Sequence, residues 1–488
     1  MSLIQIQNLT FAYDGSYDTI FEDVSFQIDT DWKLGFTGRN GRGKTTFLNL
    51  LMGRYEYQGR ISASVAFDYF PFPVKDPAAG TLAVVRTITP DCQDWELRRE
   101  LNILEVTEDV LDRPFITLSN GEQTKVLLAA LFLKRNHFLL IDEPTNHLDS
   151  HAREILSRYL NSKSGFILVS HDRNFLDGCI DHILSINKTN IEVQKGNFSS
   201  WWENKQRTDQ SELAENARLK KDISRLAEGA RRSAQWSDKV EKTKKQAADS
   251  GFVSHKAAKM MQRSKSMQKR QEKAIGAKAK LLKNIETAEE LSLRPLTHYA
   301  GRLAELRNVS VVYGEKTVCS GVSFSISSGE RTALCGPNGS GKSSLLKLLN
   351  QNPIPYRGEL QTAPNLIISY VPQDTSFLAG SLSDFIVEND LPENLFKAIL
   401  RKLDFSREQF DKRLEDFSEG QKKKTLIARS LCESAHLYIW DEPLNFIDVF
   451  SRMQIQELIL RCQPTLLFVE HDSAFVEEIA TGRVELTP

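Results

Sequence analysis

At 488 residues the chain is too long for one hydrophobic core, and its composition (40% hydrophobic, 26% charged, formal net charge -1) is that of a globular protein with two domains and an added element. No apolar run approaches the ~20 residues that a membrane span needs, and the N-terminal MSLIQIQNLTFAYDG lacks the basic and apolar regions of a signal peptide, so a cytoplasmic protein is expected. Cys92, Cys179, Cys319, Cys335, Cys432 and Cys462 form no CxxC pair, which gives no reason to expect a zinc or iron–sulfur site.

The first motif in chain order is Gly38-Arg39-Asn40-Gly41-Arg42-Gly43-Lys44-Thr45-Thr46. GxxxxGK[ST] needs its glycines so that the backbone turns tightly and aims several N–H groups at phosphate oxygens. The helix that follows adds its positive end. Lys44 is placed to meet the β- and γ-phosphates of a nucleotide, and Thr45 to put a hydroxyl on Mg2+. Leu118-Ser119-Asn120-Gly121-Glu122-Gln123 comes next, at a predicted helix start, where the Ser119 hydroxyl and the Gly121 N–H suit a phosphate presented from outside. Phe138-Leu139-Leu140-Ile141 and Phe166-Ile167-Leu168-Val169 are continuous apolar runs, as expected of buried parallel strands. Asp142 ends the first run, where its carboxylate can reach Mg2+, and Glu143 can polarise a water for attack on the γ-phosphorus.

From about residue 205 to 297 Gly and Pro nearly vanish. Leu219, Ile223, Leu226 and Ala230 form one helical stripe, and Ala274, Leu281, Ile285 and Ala288 another. Asp249 to Ser254 interrupts the pattern, which predicts two long antiparallel helices joined by a loop. Residues 231–283 carry 16 Lys or Arg against 4 Asp or Glu, an excess of +12, so the rest of the chain sums to -13. A basic arm on an acidic body is the electrostatic footprint of a polyanion partner, most simply nucleic acid.

The motifs then repeat. Gly336-Pro337-Asn338-Gly339-Ser340-Gly341-Lys342-Ser343-Ser344 lies 298 residues after the first loop. Phe417-Ser418-Glu419-Gly420-Gln421, Asp441-Glu442 and Glu470-His471-Asp472 follow in the same order. The expected class is α/β with two P-loop domains, at 1–204 and 298–488, joined by the helical hairpin at 205–297.

These residues resemble the ATP-binding-cassette (ABC) superfamily. The serine–glycine segments look like its signature, which in the family grips the ATP held by the opposite cassette. The resemblance implies ATP and Mg2+ as cofactors. It implies one site built from Lys44, Asp142 and Glu143 with Ser418 and Gly420. A second would join Lys342, Asp441 and Glu442 with Ser119 and Gly121, while Ser343, like Thr45, would put a hydroxyl on Mg2+ and Glu122 and Gln421 would lie among the nucleotide-contacting residues. His171 and His471 match the family's switch histidine, Tyr13 and Tyr313 its adenine-stacking aromatic, and Gln373 the glutamine that touches Mg2+ and the attacking water. In the first copy Tyr69-Phe70-Pro71-Phe72 stands where the second has Tyr370-Val371-Pro372-Gln373, and phenylalanine can do neither task. A slower first site is expected.

The whole arrangement resembles the ABC-F family, whose members enter the tRNA exit site of the ribosome. Glu442-Pro443-Leu444-Asn445-Phe446-Ile447-Asp448 resembles the antibiotic-resistance branch of Lsa and Vga type. So does the short stretch of 45 residues between Phe72 and Leu118. The chain also ends 17 residues after His471, with no long extension. The branch implies a partnership with the 70S ribosome, through large-subunit rRNA and P-site tRNA. It also implies no membrane subunit, and a monomer whose cassettes dimerise intramolecularly. Its interhelical loop would dislodge lincosamides, pleuromutilins and streptogramin A, which points to Phe252, Val253, Ser254, His255 and Lys256 at the tip. The competing readings are a housekeeping translation factor of the same family, an ATPase subunit of a membrane transporter, and a DNA-organising ATPase.

Overall fold

The computed structural model describes residues 2–13, 19–39, 41–146, 148–187, 190–244, 270, 291–314 and 316–486. Chain contacts divide the protein into two units, one of Met1–Ser199 with Ala288–Pro488 and one of Ser200–Thr287. The first unit holds both copies of the repeat.

In the first copy, β1 (Leu3–Ala12), β2 (Thr19–Asp29) and β4 (Gln58–Ser62) form an antiparallel sheet in the order β2-β1-β4. A second sheet runs β5-β6-β7-β3-β8-β9, from β3 (Lys33–Thr37), β5 (Ala66–Phe70), β6 (His137–Asp142), β7 (Phe166–Val169), β8 (His182–Asn187) and β9 (Asn190–Lys195). It is parallel except where β9 turns back on β8. The apolar runs predicted as buried strands are β6 and β7, and Leu140, Ile141, Phe166, Ile167 and Leu168 are fully buried. Because β3, β6 and β7 point the same way, the phosphate loop, Asp142 and His171 all leave at their carboxyl ends.

The second copy repeats the plan. Its antiparallel sheet runs β11-β10-β13, from β10 (Arg302–Tyr313), β11 (Lys316–Ser327) and β13 (Tyr356–Thr362). Its parallel sheet runs β14-β15-β16-β12-β17, from β12 (Arg331–Cys335), β14 (Ile368–Val371), β15 (Leu437–Asp441), β16 (Leu466–Val469) and β17 (Gly482–Glu485). The helix behind each phosphate loop is anchored in the core. Phe47, fully buried, packs edge-on against Phe36 at 5.5 Å and Phe21 at 6.0 Å.

Leu291 and Leu293 are buried in the core of the second copy, and the Leu296 N–H donates to the Ala435 carbonyl at 2.8 Å. The boundary that the sequence suggests at 298 falls after this stretch. Of the linker, the structure describes one helix, Phe198–Lys244, of 47 residues, longer and earlier in starting than the composition implied. At ~1.5 Å per residue it extends about 70 Å. The second stripe, with Ala274, Leu281, Ile285 and Ala288, lies outside the described residues, as do Phe252, Val253, Ser254, His255 and Lys256 at the expected tip.

Candidate nucleotide sites between the two copies

Each phosphate loop ends on a glycine that no other residue could replace without strain. Gly43 and Gly341 cap their helices at φ 93° and 88°, and a Cβ on Gly43 would stand 2.6 Å from Ile20 Cγ2. The loop lysines curl over their own loops. Lys44 Nζ donates to the carbonyls of Gly38 (2.6 Å) and Arg39 (3.2 Å), and Lys342 Nζ to those of Gly336 (2.8 Å) and Pro337 (2.9 Å). Burial pushes both below the ordinary lysine value, and a carboxylate of the other copy works against it: Asp448 on Lys44 and, after Glu442, Asp149 on Lys342. Tyr13 and Tyr313 are half exposed, and each bonds a loop hydroxyl, Thr46 Oγ1 at 2.7 Å and Ser344 Oγ at 3.4 Å.

The strand-end acids are placed for a cation. Thr45 Oγ1 donates to Asp142 Oδ2 at 3.2 Å, and Ser343 Oγ to Asp441 Oδ1 at 3.2 Å. Asp441 Oδ2 is buried with no hydrogen-bond partner among the described residues. A hard divalent cation fits this combination of a hydroxyl and an unsatisfied carboxylate oxygen. Burial raises the Asp441 carboxyl to about 6. In the first copy Tyr69 Oη donates to Asp142 Oδ2 at 2.9 Å, whereas the Tyr370 hydroxyl is buried without a partner among the described residues.

Glu143 and Glu442 share an unusual backbone, φ 51° and 47°, locked by N–H bonds to Val169 O (2.9 Å) and Val469 O (3.0 Å). Left-handed backbone at a non-glycine residue costs of order 1–3 kcal/mol and persists where the surroundings enforce it. The two side chains are held differently. Glu442 receives Asn445 Nδ2 at 2.5 Å, and His471 Nε2 lies 3.3 Å away. Burial raises its pKa, but His471 and Gln373 outweigh that and hold the carboxyl below its ordinary value. Glu143 Oε1 has no hydrogen-bond partner among the described residues, with His171 Nε2 at 3.4 Å and out of line. Burial, then the neighbouring Asp142, pushes Glu143 up to about 8. Burial and the cations Lys44 and Arg452 hold His171 well below the usual histidine value.

Ser119 and Ser418 each begin a helix, Asn120–Phe132 and Glu419–Cys432, through a capping box with Glu122 and Gln421. Their local role is therefore to cap. The first of these helix starts faces the second phosphate loop across a cleft of about 750 Å³. Ser119, Gly121 and Glu122 of the first copy line it, together with Asn338, Gly339, Gly341, Lys342, Ser343, Ser344, Gln373, Glu442 and His471 of the second. This cleft is therefore lined by residues of both copies. On the other side, Arg39 of the first loop meets Asp404 (3.6 Å) and the Phe450 ring (5.8 Å) of the second copy. There Ser418 is exposed and Gly420 buried. Asn40 lies outside the described residues.

Motif reasoning missed several participants. Lys125, Asp149 and Arg153 line the cleft. Arg153 pairs with Asp172 at 3.0 Å, Arg452 with Asp472 at 3.1 Å, and Lys424 with Asp448 at 2.7 Å. All recur at the repeat spacing, so aligning the two copies beyond their named motifs would have found them. The copies also touch directly, through Asn174 Nδ2 to Ser473 Oγ at 2.8 Å and Arg173 to Gln456 at 2.5 Å.

The family model for ABC transporters matches residues 21–146 and 319–445. The ribosome protection protein VmlR of Bacillus subtilis (strain 168) is 30% identical over 493 residues, 98% of this chain and 85% of that protein. The energy-dependent translational throttle protein EttA of Haemophilus influenzae is 26% identical over 519 residues, 95% and 88% of the two chains. Among solved structures, the archaeal ribosome recycling factor aABCE1, in complex with an archaeal ribosomal stalk protein, superposes with a TM-score of 0.63. It covers 98% of this chain and 87% of that one at 18% identity, a likeness of fold. No described helix is long and apolar enough to cross a membrane.

Proposed function

Because this chain belongs to the ABC-F family of ATP-binding-cassette ATPases, with two cassettes in one polypeptide, we propose that its ATP-closed form binds the ribosome and that hydrolysis releases it. It binds and hydrolyses ATP. The observation that carries the proposal is the cleft in which Lys342 and Ser343 of one cassette face Ser119 and Gly121 of the other. A nucleotide whose phosphates are gripped from both walls favours the closed state over the open one by its differential contacts. In site one Lys44, Thr45 and Asp142 would take the matching roles, with Ser418 and Gly420 across from them.

When Mg2+ is bound, it neutralises charge on the phosphates. Ser343 and Asp441 would hold it in site two, and Thr45 and Asp142 in site one. Glu442 is the acceptor for a proton of the attacking water, and His471 and Gln373 fix its direction. Phe72 leaves Glu143 without the corresponding amide, so we assign slower hydrolysis to site one.

On the ribosome, the protein is assigned to the tRNA exit site and its linker is directed at the P-site tRNA, which it would displace, with its basic residues neutralising phosphates. The tip at Phe252 to Lys256 would approach the P-site tRNA and the drug site. Support for a protective role comes from the likeness to VmlR and the short stretch between Phe72 and Leu118. The second reading, a translation factor without resistance, is favoured by the comparable likeness to EttA. Pull-down of a Glu143→Gln, Glu442→Gln double variant with ribosomes, together with growth of cells carrying the native chain on lincosamide and pleuromutilin, separates the two. Binding with protection supports the first reading, binding without it the second, and no ATP-dependent binding overturns both.

A further inference from the structure

The cassettes differ at one buried position behind the strand-end acids. In the second, Lys423 of the helix Glu419–Cys432 is 2% exposed. Its ammonium donates to the Pro372 carbonyl at 2.9 Å and the Asp441 carbonyl at 3.3 Å. Pro372 precedes Gln373, and Asp441 precedes Glu442. One side chain therefore ties the backbone that carries the glutamine to the backbone that carries the acids.

An ammonium this deep is destabilising unless it is compensated. Asp441, Glu470, Glu442 and Glu419 face it and supply the opposing charge. Removing the ammonium while keeping the stem would leave two inward carbonyls short of a donor.

In the first cassette the residue in register is Thr124, five positions after Ser119 as Lys423 is five after Ser418. There the structure has a recess of about 410 Å³ lined by Thr124, Tyr69, Phe70, Pro71, Asp142 and Glu143. In the second cassette the positions in register are Lys423, Tyr370, Val371, Pro372, Asp441 and Glu442. The space is open where threonine stands and crossed by an ammonium where lysine does.

We propose that Lys423 is a positioning residue for ATP hydrolysis, acting through Gln373 and Glu442, and that its absence at Thr124 is a second cause, beside Phe72, of slow turnover at site one. The inference rests on the assignment of Glu442 as the proton acceptor, and it does not depend on the ribosome.

The test begins in a Glu143→Gln background, so that site two alone turns over. Lys423→Met keeps the stem and removes the ammonium. It should lower kcat by about 10- to 100-fold, the scale of a misplaced reacting group, with KM for ATP changed less than about threefold. Lys423→Arg should recover part of kcat. An unchanged kcat, or a loss wholly in KM, overturns the proposal. If Lys423→Met fails to fold, the reciprocal variant decides. In a Glu442→Gln background, Phe72→Gln with Thr124→Lys should exceed Phe72→Gln alone by about threefold or more in first-site turnover, and no gain overturns it. A Glu143→Gln chain with no residual turnover would instead refute the assignment of Glu442, whatever Lys423 does.

Discussion

Arg39 in the first phosphate loop stands 3.6 Å from Asp404 of the second cassette and lies over the ring of Phe450. The second loop has Pro337 at that position, and the opposite residues in register, Glu105 and His151, pair with each other at 3.5 Å. A cross-cassette contact thus exists at site one with no counterpart at site two among the described residues. Arg39→Ala should weaken ATP-driven closure by about 0.5–1 kcal/mol, the worth of a partly exposed pair. The swap Arg39→Asp with Asp404→Arg should restore part of it. Distance measurements between labels on the two cassettes, read across an ATP titration, check this.

The contrast between Glu143 and Glu442 predicts unequal sites. Single-turnover hydrolysis by Glu143→Gln, which leaves site two intact, should exceed that by Glu442→Gln by about tenfold or more. That is a fraction of the roughly 100- to 10,000-fold that a positioned acid or base contributes, because both sites keep the carboxylate and differ in how it is held. Equal residual rates would remove the distinction.

The unsatisfied oxygen of Asp441 beside Ser343 predicts the cation dependence of site two. In a Glu143→Gln background, Asp441→Asn should raise the Mg2+ concentration for half-maximal turnover by about tenfold or more, on the scale of losing a positioning group. Ser343→Ala should act in the same direction. Titration of Mg2+ at fixed ATP reads both.

A buried carboxylate away from the sites gives a pH prediction. Glu100 is 1% exposed and accepts from Tyr159 Oη at 2.8 Å, Arg99 at 3.0 Å and Lys163. Burial raises its pKa, but these bonds outweigh that and hold it below the ordinary value. A carboxyl depressed in the folded state adds stability above its unfolded pKa, near 4.3, and loses it as pH falls through the folded pKa. Glu100→Gln should therefore cost about 1–3 kcal/mol at pH 7, and the gap from the native chain should narrow below about pH 4. Denaturant melts at the two pH values test it.

The phosphate loops, the signature serines and the strand-end acids were legible in the sequence because each depends on local spacing, and the repeat states every spacing twice. That Ser119 and Lys342 line one cleft is not a local property, since nothing in the sequence joins residues so far apart, and only the family likeness suggested it. The left-handed backbone at Glu143 and Glu442 was not legible, because it is imposed by the neighbouring strand through Val169 and Val469. Arg39 and Asp404 are 365 positions apart, and which charges meet across an interface is a property of the fold. Lys423 carries no motif signal, since it lies within a run of three lysines, Lys422 to Lys424, and its burial depends on how the helix Glu419–Cys432 packs against the strand ends. Leu291 and Leu293 carry no motif, and that they enter the second core is a property of the fold.

The central claim, a site shared between Lys342 on one cassette and Ser119 with Gly121 on the other, is tested most directly by placing a negative charge at Gly121 and measuring each site alone. Gly121→Asp should lower ATP turnover by about 100-fold in a Glu143→Gln chain, the scale of a lost transition-state donor, and leave it unchanged in a Glu442→Gln chain. Loss in the Glu442→Gln chain with turnover intact in the Glu143→Gln chain would contradict the account.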